Sequence, residues 1–191
     1  MSSISLQNWI SVRAADLDEI ENAHRSVGGS ARGRRYMTQQ INHAYAMLLC
    51  SQFQGSCRDL RSEAIDHIVQ VIPQVNFRHT VSLEFQINRK LDRGNPTPGN
   101  IGSDFNRLGI GFWDRVALLD VRNAIRKSSL EDLNRWRNAI AHQDFDRGIL
   151  GPMILHLGDV RNWRGVCDAL AINFDEVMQS YIQVVAGHSP W

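Results

Sequence analysis

The chain lacks the long apolar runs of membrane proteins, and it has few cysteines. No apolar run approaches the roughly 18 residues that a membrane span requires, and the first residues lack the basic patch, apolar stretch and cleavage site of a secretion signal. The three cysteines, Cys50, Cys57 and Cys167, include no Cys-x-x-Cys pair, which argues against a disulfide framework and a zinc knuckle. We therefore expect a soluble cytoplasmic protein with reduced thiols and no membrane contact.

The chain also lacks a large excess of charge of either sign. The formal net charge is only +1, so any site for a polyanion must be local. Lysine is nearly absent: Lys90 and Lys127 are accompanied by nineteen arginines. Arginine suits bidentate contacts with phosphate, but biased codon usage in a GC-rich genome explains this composition at least as well.

Several catalytic motifs are absent. The chain contains neither Gly-x-Gly-x-x-Gly nor Gly-x-x-x-x-Gly-Lys-Ser, the phosphate-binding loops of nucleotide enzymes. His-Glu-x-x-His and Gly-x-Ser-x-Gly are missing too, which disfavours metal hydrolases and serine hydrolases. We predict no metal and no cofactor.

What is present indicates a single all-α domain. A length of 191 residues and a hydrophobic fraction of 43% suit one core. Apolar residues recur at helical spacing in six stretches: residues 6–25, 36–72, 79–91, 112–125, 129–142 and 160–181. We expect an up-and-down bundle of four to six helices with a loop-rich insert before the helix at 129–142.

The domain divides into three parts on composition. Residues 1–35 comprise an N-terminal helix and a flexible basic loop, Gly28–Arg35. Residues 36–186 form the bundle core, in which 93–100 are predicted to be a loop and 101–111 to be irregular or short. Residues 187–191 form a frayed tail.

Polar residues on the long second helix have competing interpretations. His43, Cys50 and Cys57 share one face, but seven residues separate neighbours by about 10 Å, too far for one metal ion. We interpret them as core residues. The charged residues between Arg58 and His67 form either a solvated face or one wall of a groove.

The most informative segment ends the helix at 129–142. Ser128 and Glu131 match a capping box that starts this helix, and its last residues include Arg135, Arg137 and Asn138 before His142. These residue types suit metal-free RNA cleavage, in which an imidazole takes a proton from a 2′-hydroxyl and a guanidinium stabilises the phosphate.

A structural interpretation competes with this one. Arg137 would pair with a carboxylate, and His142 would cap the helix C-terminus, where a cationic imidazole is favoured. Five residues also turn about 500°, which separates these two side chains by about 140° around an ideal helix. A joint role therefore requires fraying at His142 or a site shared between two chains.

The segment Arg137-Asn138-Ala139-Ile140-Ala141-His142 resembles the HEPN superfamily, whose hallmark is an arginine, usually followed by a polar residue, a short spacer and a histidine on a helix of a helical bundle. The layout from 36 to 181 is similar as well, with a long helix preceding the motif helix by a variable insert.

The resemblance implies a metal-independent endoribonuclease that dimerises so that two motifs face one cleft, often as the toxin of a toxin–antitoxin or phage-defence system. It implies catalytic roles for Arg137 and His142 and a supporting role for Asn138, while Arg135 would bind substrate. The expected partners are RNA, a second copy of the chain and a cognate antitoxin. Some members are non-catalytic modules that bind RNA or protein, and this remains the alternative.

Overall fold

The described residues of the computed structural model, 1–27, 34–151 and 154–191, contain helices and no β-strand, so the predicted all-α class is confirmed. The α-helices of these ranges are α1 (Ile4–Asn8), α2 (Ala14–Val27), α3 (Arg34–Gln70), α4 (Val75–Gln86), α5 (Pro98–Asn106), α6 (Phe112–Leu119), α7 (Asn123–His142), α8 (Arg147–Leu150) and α9 (Leu157–Ala186). A π-helical turn, Trp9–Arg13, joins α1 to α2, and Lys90–Asp92 forms a 3₁₀ turn. None of these helices is both long enough and apolar enough to cross a membrane.

Four helices, α2, α3, α7 and α9, form the bundle in the predicted up-and-down order. Side-chain pairs show that α2 and α3 run antiparallel, as Asp16 contacts Gln52 and Glu21 contacts Tyr45. Helices α7 and α9 are antiparallel as well, because Trp136 and Trp163 line one groove while Asn123, at the start of α7, contacts a residue further along α9. The short helices α4, α5 and α6 fill the insert before α7, where a loop-rich connection is predicted.

The core is rich in aromatic rings. Phe53 of α3 packs edge-on against Trp9 with ring centroids 5.6 Å apart, and Phe174 of α9 contacts Phe53 at 6.0 Å and Phe112 at 4.8 Å. Each of these four residues is at most 1% exposed. The rings therefore join the N-terminal segment, α3, α6 and α9 in one core.

The charged residues from Arg58 to His67 do not form a solvated face or a groove wall as a group. Arg61 is fully buried, and its guanidinium donates from Nε to the Asp104 carbonyl (2.8 Å) and from Nη2 to the Phe85 carbonyl (2.7 Å). Burial lowers the pKa of Arg61 to about 10. The Glu63 carboxylate accepts the backbone N–H groups of Ile4 and Ser5, a favourable place for an anion at a helix N-terminus. These charges therefore attach α1, α4 and α5 to α3.

One loop prediction differs from the structure. Residues 98–100, predicted to belong to a loop, form the first turn of the short helix α5, because the Thr97 hydroxyl accepts the Asn100 N–H (3.1 Å) and Pro98 occupies that turn. The tail leaves the helix at Gly187, and the carbonyl of half-buried Trp191 accepts a hydrogen bond from Gln179. Most of the predicted basic loop, residues 28–33, lies outside the described residues.

The close packing of α5 against α6 generates a stability prediction. A Cβ atom added at Gly102 would lie 2.8 Å from Trp113 Cδ1, whereas one added at Gly165 of α9 meets nothing within 4 Å. We expect Gly102→Ala to lower the free energy of unfolding by about 1–3 kcal/mol through overpacking. Gly165→Ala is the matched control and should raise it by about 0.5–1 kcal/mol through helix propensity. Urea unfolding of both variants measures the difference, and equal stabilities would contradict the packing argument.

Candidate active site

Helix α7 carries the predicted motif and starts earlier than expected. It begins at Asn123 rather than near Ser129, and Ser128 lies inside it, so the predicted capping box is wrong. The Asp120 carboxylate organises the start instead: it accepts the backbone N–H of Arg122 (2.9 Å) and the guanidinium groups of Arg122 and Arg126. These hydrogen bonds hold the pKa of Asp120 well below its usual range.

The end of α7 lies where the sequence predicts it, at His142. Gln143 adopts a left-handed conformation (φ 55°), and the Asp144 N–H donates to the Ala139 carbonyl at 3.0 Å, which is the closing bond of a Schellman-type cap. The Gln143 side chain donates to the Ile140 carbonyl at 2.7 Å. The cap is therefore made by Gln143, and His142 projects as the last, exposed helical residue.

Three of the four predicted site residues line one groove. Arg135, Asn138 and His142 are spaced three and four residues apart, so they share a helical face, and they border a cavity of about 320 Å³ with Asp144 and Asp146. We call this the motif groove. No hydrogen bond or ion pair involves the His142 imidazole within the part of the chain that the structure describes.

Arg137, the fourth residue, does not line the motif groove. Its half-buried side chain lies on the side of α7 that faces α3, where its charge acts on the Cys50 thiol. Its only hydrogen bond among the described residues goes to the neighbouring Asn138 Oδ1, at 3.4 Å, and no described carboxylate pairs with it. One helix therefore does not bring Arg137 and His142 into one site, which agrees with the separation of about 140°.

Asparagines fix the loop before α5 against the motif helix. Asn95 donates to Asn138 Oδ1, and Asn134 donates to the Pro96 carbonyl at 3.1 Å. Asn100 in turn donates to the Asn95 carbonyl at 2.8 Å. Asn95 and Asn134 were not predicted from the sequence. The available signal was Asn134, a polar residue among the apolar positions of α7 and four residues before Asn138.

The charge of the motif groove is mixed. Arg135 pairs with Asp132 at 3.0 Å, and both side chains are about half exposed. Asp144 and Asp146 add two carboxylates, of which Asp146 also accepts the Gly148 N–H at 2.7 Å. A single motif groove is therefore not a strongly cationic surface, and an anionic ligand gains most from Arg137 on the adjacent side of the helix.

An aromatic cluster beneath the groove holds the chain that follows α7. His43 of α3 stacks on Phe145 with ring centroids 5.6 Å apart and also contacts Trp136 at 6.4 Å. His43, Cys50 and Cys57 are all buried, which confirms their interpretation as core residues, and burial raises the pKa of the Cys50 thiol to about 12. The described residues contain no cluster of His, Cys, Asp and Glu able to hold a metal ion.

The arrangement provides an accessible imidazole, a guanidinium without a carboxylate partner and an amide between them along the last turns of one helix. Such groups can exchange a proton and bind a phosphate. Comparison with protein families, with characterised proteins and with solved structures finds no match for this chain. The chemistry of the site therefore rests on the residues themselves.

The buried histidine beneath the groove generates a pH prediction. Burial lowers the pKa of His43, so below the ordinary value of about 6.5 the unfolded chain binds a proton that the folded chain does not. The free energy of unfolding should therefore keep its full value above that pH and decrease as the pH drops below it. Chemical unfolding between about pH 5.5 and 8 measures this slope.

His43→Gln should flatten the slope, while His79→Gln, at an exposed position of α4, serves as the control. His24, whose pKa is also lowered chiefly by burial, contributes a slope of the same sign in all three proteins. An equal slope in wild type and His43→Gln would show that His43 does not carry the effect.

Proposed function

We propose that this chain is a metal-independent endoribonuclease of the HEPN superfamily. The observation that carries the proposal is that the two motif residues lack the structural roles that would otherwise explain them. Gln143 rather than His142 caps α7, and Arg137 pairs with no carboxylate in the described ranges. An exposed imidazole and a guanidinium without a counter-charge are suited to a ligand outside the chain.

The proposed reaction is attack of a ribose 2′-oxygen on the adjacent phosphorus. His142 takes the 2′-hydroxyl proton, and the new P–O bond forms a 2′,3′-cyclic phosphate. The bond to the 5′-oxygen breaks as a water molecule protonates that oxygen, and the resulting hydroxide takes the proton back from the His142 imidazolium. Imidazole exchanges protons near neutral pH. Arg137 stabilises the charge on the pentacoordinate phosphate, Asn138 supports Arg137, and Arg135 binds the strand beside the motif groove.

A homodimer completes the proposed site. Because Arg137 and His142 lie on different sides of α7, a composite site takes the guanidinium from one chain and the imidazole from its partner. A second motif also adds cations to a groove that contains Asp144 and Asp146. Both considerations favour the dimer that the family resemblance implies.

The resemblance also supports a biological setting. We place the activity in the cytoplasm, as the toxin of a toxin–antitoxin or phage-defence system with a cognate antitoxin protein. A non-catalytic RNA- or protein-binding module is the competing function, and the cleavage experiment distinguishes the two.

The central prediction concerns cleavage without metal. The purified protein should cleave total RNA or transfer RNA in the presence of EDTA and leave 2′,3′-cyclic phosphate ends. His142→Ala and Arg137→Ala should each lower the rate by about a hundredfold or more, as expected for loss of a proton-transfer group or of electrostatic stabilisation. Gel analysis of end-labelled RNA measures both the rate and the ends.

Exposed residues of the same types provide controls for this experiment. His79→Ala on α4 and Arg115→Ala on α6 should cleave at the wild-type rate. Retained cleavage in both motif variants would overturn the enzyme assignment, and absence of cleavage by the wild type would favour the binding module.

The composite site can be tested separately by mixing subunits. Arg137→Ala and His142→Ala chains, inactive alone, should recover about a quarter of wild-type activity when unfolded and refolded together, because half of the dimers are mixed and each holds one intact site. Light scattering verifies that the mixture is dimeric. Dimers without recovered activity would contradict a site that takes one residue from each chain.

A further inference from the structure

A second groove adjoins the motif groove. It lies between α7 and α9 and has a volume of about 420 Å³, within the range of ligand sites in proteins. Its lining includes Trp136, Trp163, Asn162, Asp132 and Arg135. We call it the tryptophan groove.

Its two indoles have unusual hydrogen bonding. Trp136 and Trp163 are only 7% and 9% exposed, and buried tryptophans usually find an acceptor for the indole N–H. Trp9 donates to Asp168 and Trp113 donates to the Pro98 carbonyl. In contrast, neither Trp136 nor Trp163 makes such a bond to any described residue. Neither indole nitrogen is completely buried. Two tryptophans that line this groove therefore carry an indole N–H without an acceptor among the described residues.

The two grooves are neighbours. Arg135 and Leu150 line both, and Asp132 and His142, ten residue steps apart, are separated by about 15 Å along α7. Arg135 forms an ion pair with Asp132, and both side chains are about half exposed. Exposed ion pairs of this kind contribute little to stability. Arg135 can therefore exchange Asp132 for a backbone phosphate that lies between the grooves.

Charge determines which part of a nucleic acid suits the tryptophan groove. Asp132 and Asp159 both line it, and two carboxylates disfavour a phosphate there. They are instead acceptors for the amino and imino groups of a base edge, and an asparagine such as Asn162 can pair with a base through its amide. The two indoles, which are themselves little exposed, can supply N–H donors.

We propose that the tryptophan groove binds an unpaired base of a single-stranded RNA whose scissile phosphate lies at the motif groove. The inference rests on the proposed function for the identity of its ligand, but it concerns residues that take no part in the cleavage chemistry. It makes Trp163 and Asn162 substrate-binding residues and single-stranded RNA the substrate class.

The test uses RNA that cannot be cleaved. A short, fluorescently labelled 2′-O-methyl oligonucleotide of mixed sequence has no 2′-hydroxyl to attack, and its anisotropy reports binding at low salt. Asn162→Ala and Trp163→Phe should each weaken binding by about two- to tenfold, the loss of one or two hydrogen bonds. The matched controls are Asn76→Ala, at an exposed position of α4, and Trp191→Phe, in the tail, and both should bind as the wild type does.

The outcomes separate this inference from the proposed function. If Asn162→Ala and Trp163→Phe both bind as the wild type, the inference is overturned, even where cleavage depends on Arg137 and His142. Binding that depends on Asn162 and Trp163 without any cleavage supports the groove and rejects the nuclease. If the oligonucleotide does not bind and a co-purified protein shields these two residues instead, the ligand is a protein and the inference is wrong.

Discussion

The rest of the structure depends on the burial of α3. This helix has 37 residues and would be about 55 Å long if straight, and its apolar residues recur around much of its circumference, so no single neighbour can cover it. Helix α9 runs beside it in the same direction, with Phe53 against Phe174 and Tyr45 near Arg164, while α2 and α7 run antiparallel to both. This arrangement brings the end of α7 beside the start of α3. The position of His142 is therefore a consequence of how the longest helix is covered.

Long apolar stretches were predictable, but the starts of α5 and α7 were not. The periodicity located α7 and α9 because each buries a continuous stripe, and a long stretch of recurring apolar residues without proline located α3. The start of α7 was missed because Ser128 and Glu131 match a capping box whether or not a helix already runs through them, while Asp120 acts through two arginine side chains. The Thr97-Pro98 pair did carry a start signal, but the surrounding glycines favoured a loop.

The candidate site was predictable where it depends on a single helix. Spacing alone places Arg135 and Asn138 beside His142 and separates Arg137 from them. Spacing does not predict the role of Asn95, which contacts the motif from a loop 43 residues earlier. It also does not predict the burial of Arg61, whose guanidinium donates to backbone carbonyls of distant segments. Contacts between segments that are far apart in sequence leave no periodic signal in either partner.

One contact at the motif also explains which side chain suits position 138. The Asn138 oxygen accepts from Asn95 on one side and from Arg137 on the other. An aspartate there would accept the same two donors, but its negative charge would cancel that of the guanidinium. A neutral amide can accept a hydrogen bond from the guanidinium and leave the positive charge of the guanidinium available to a ligand. Position 138 thus favours asparagine over aspartate, because the amide oxygen orients the Arg137 guanidinium without neutralising its charge.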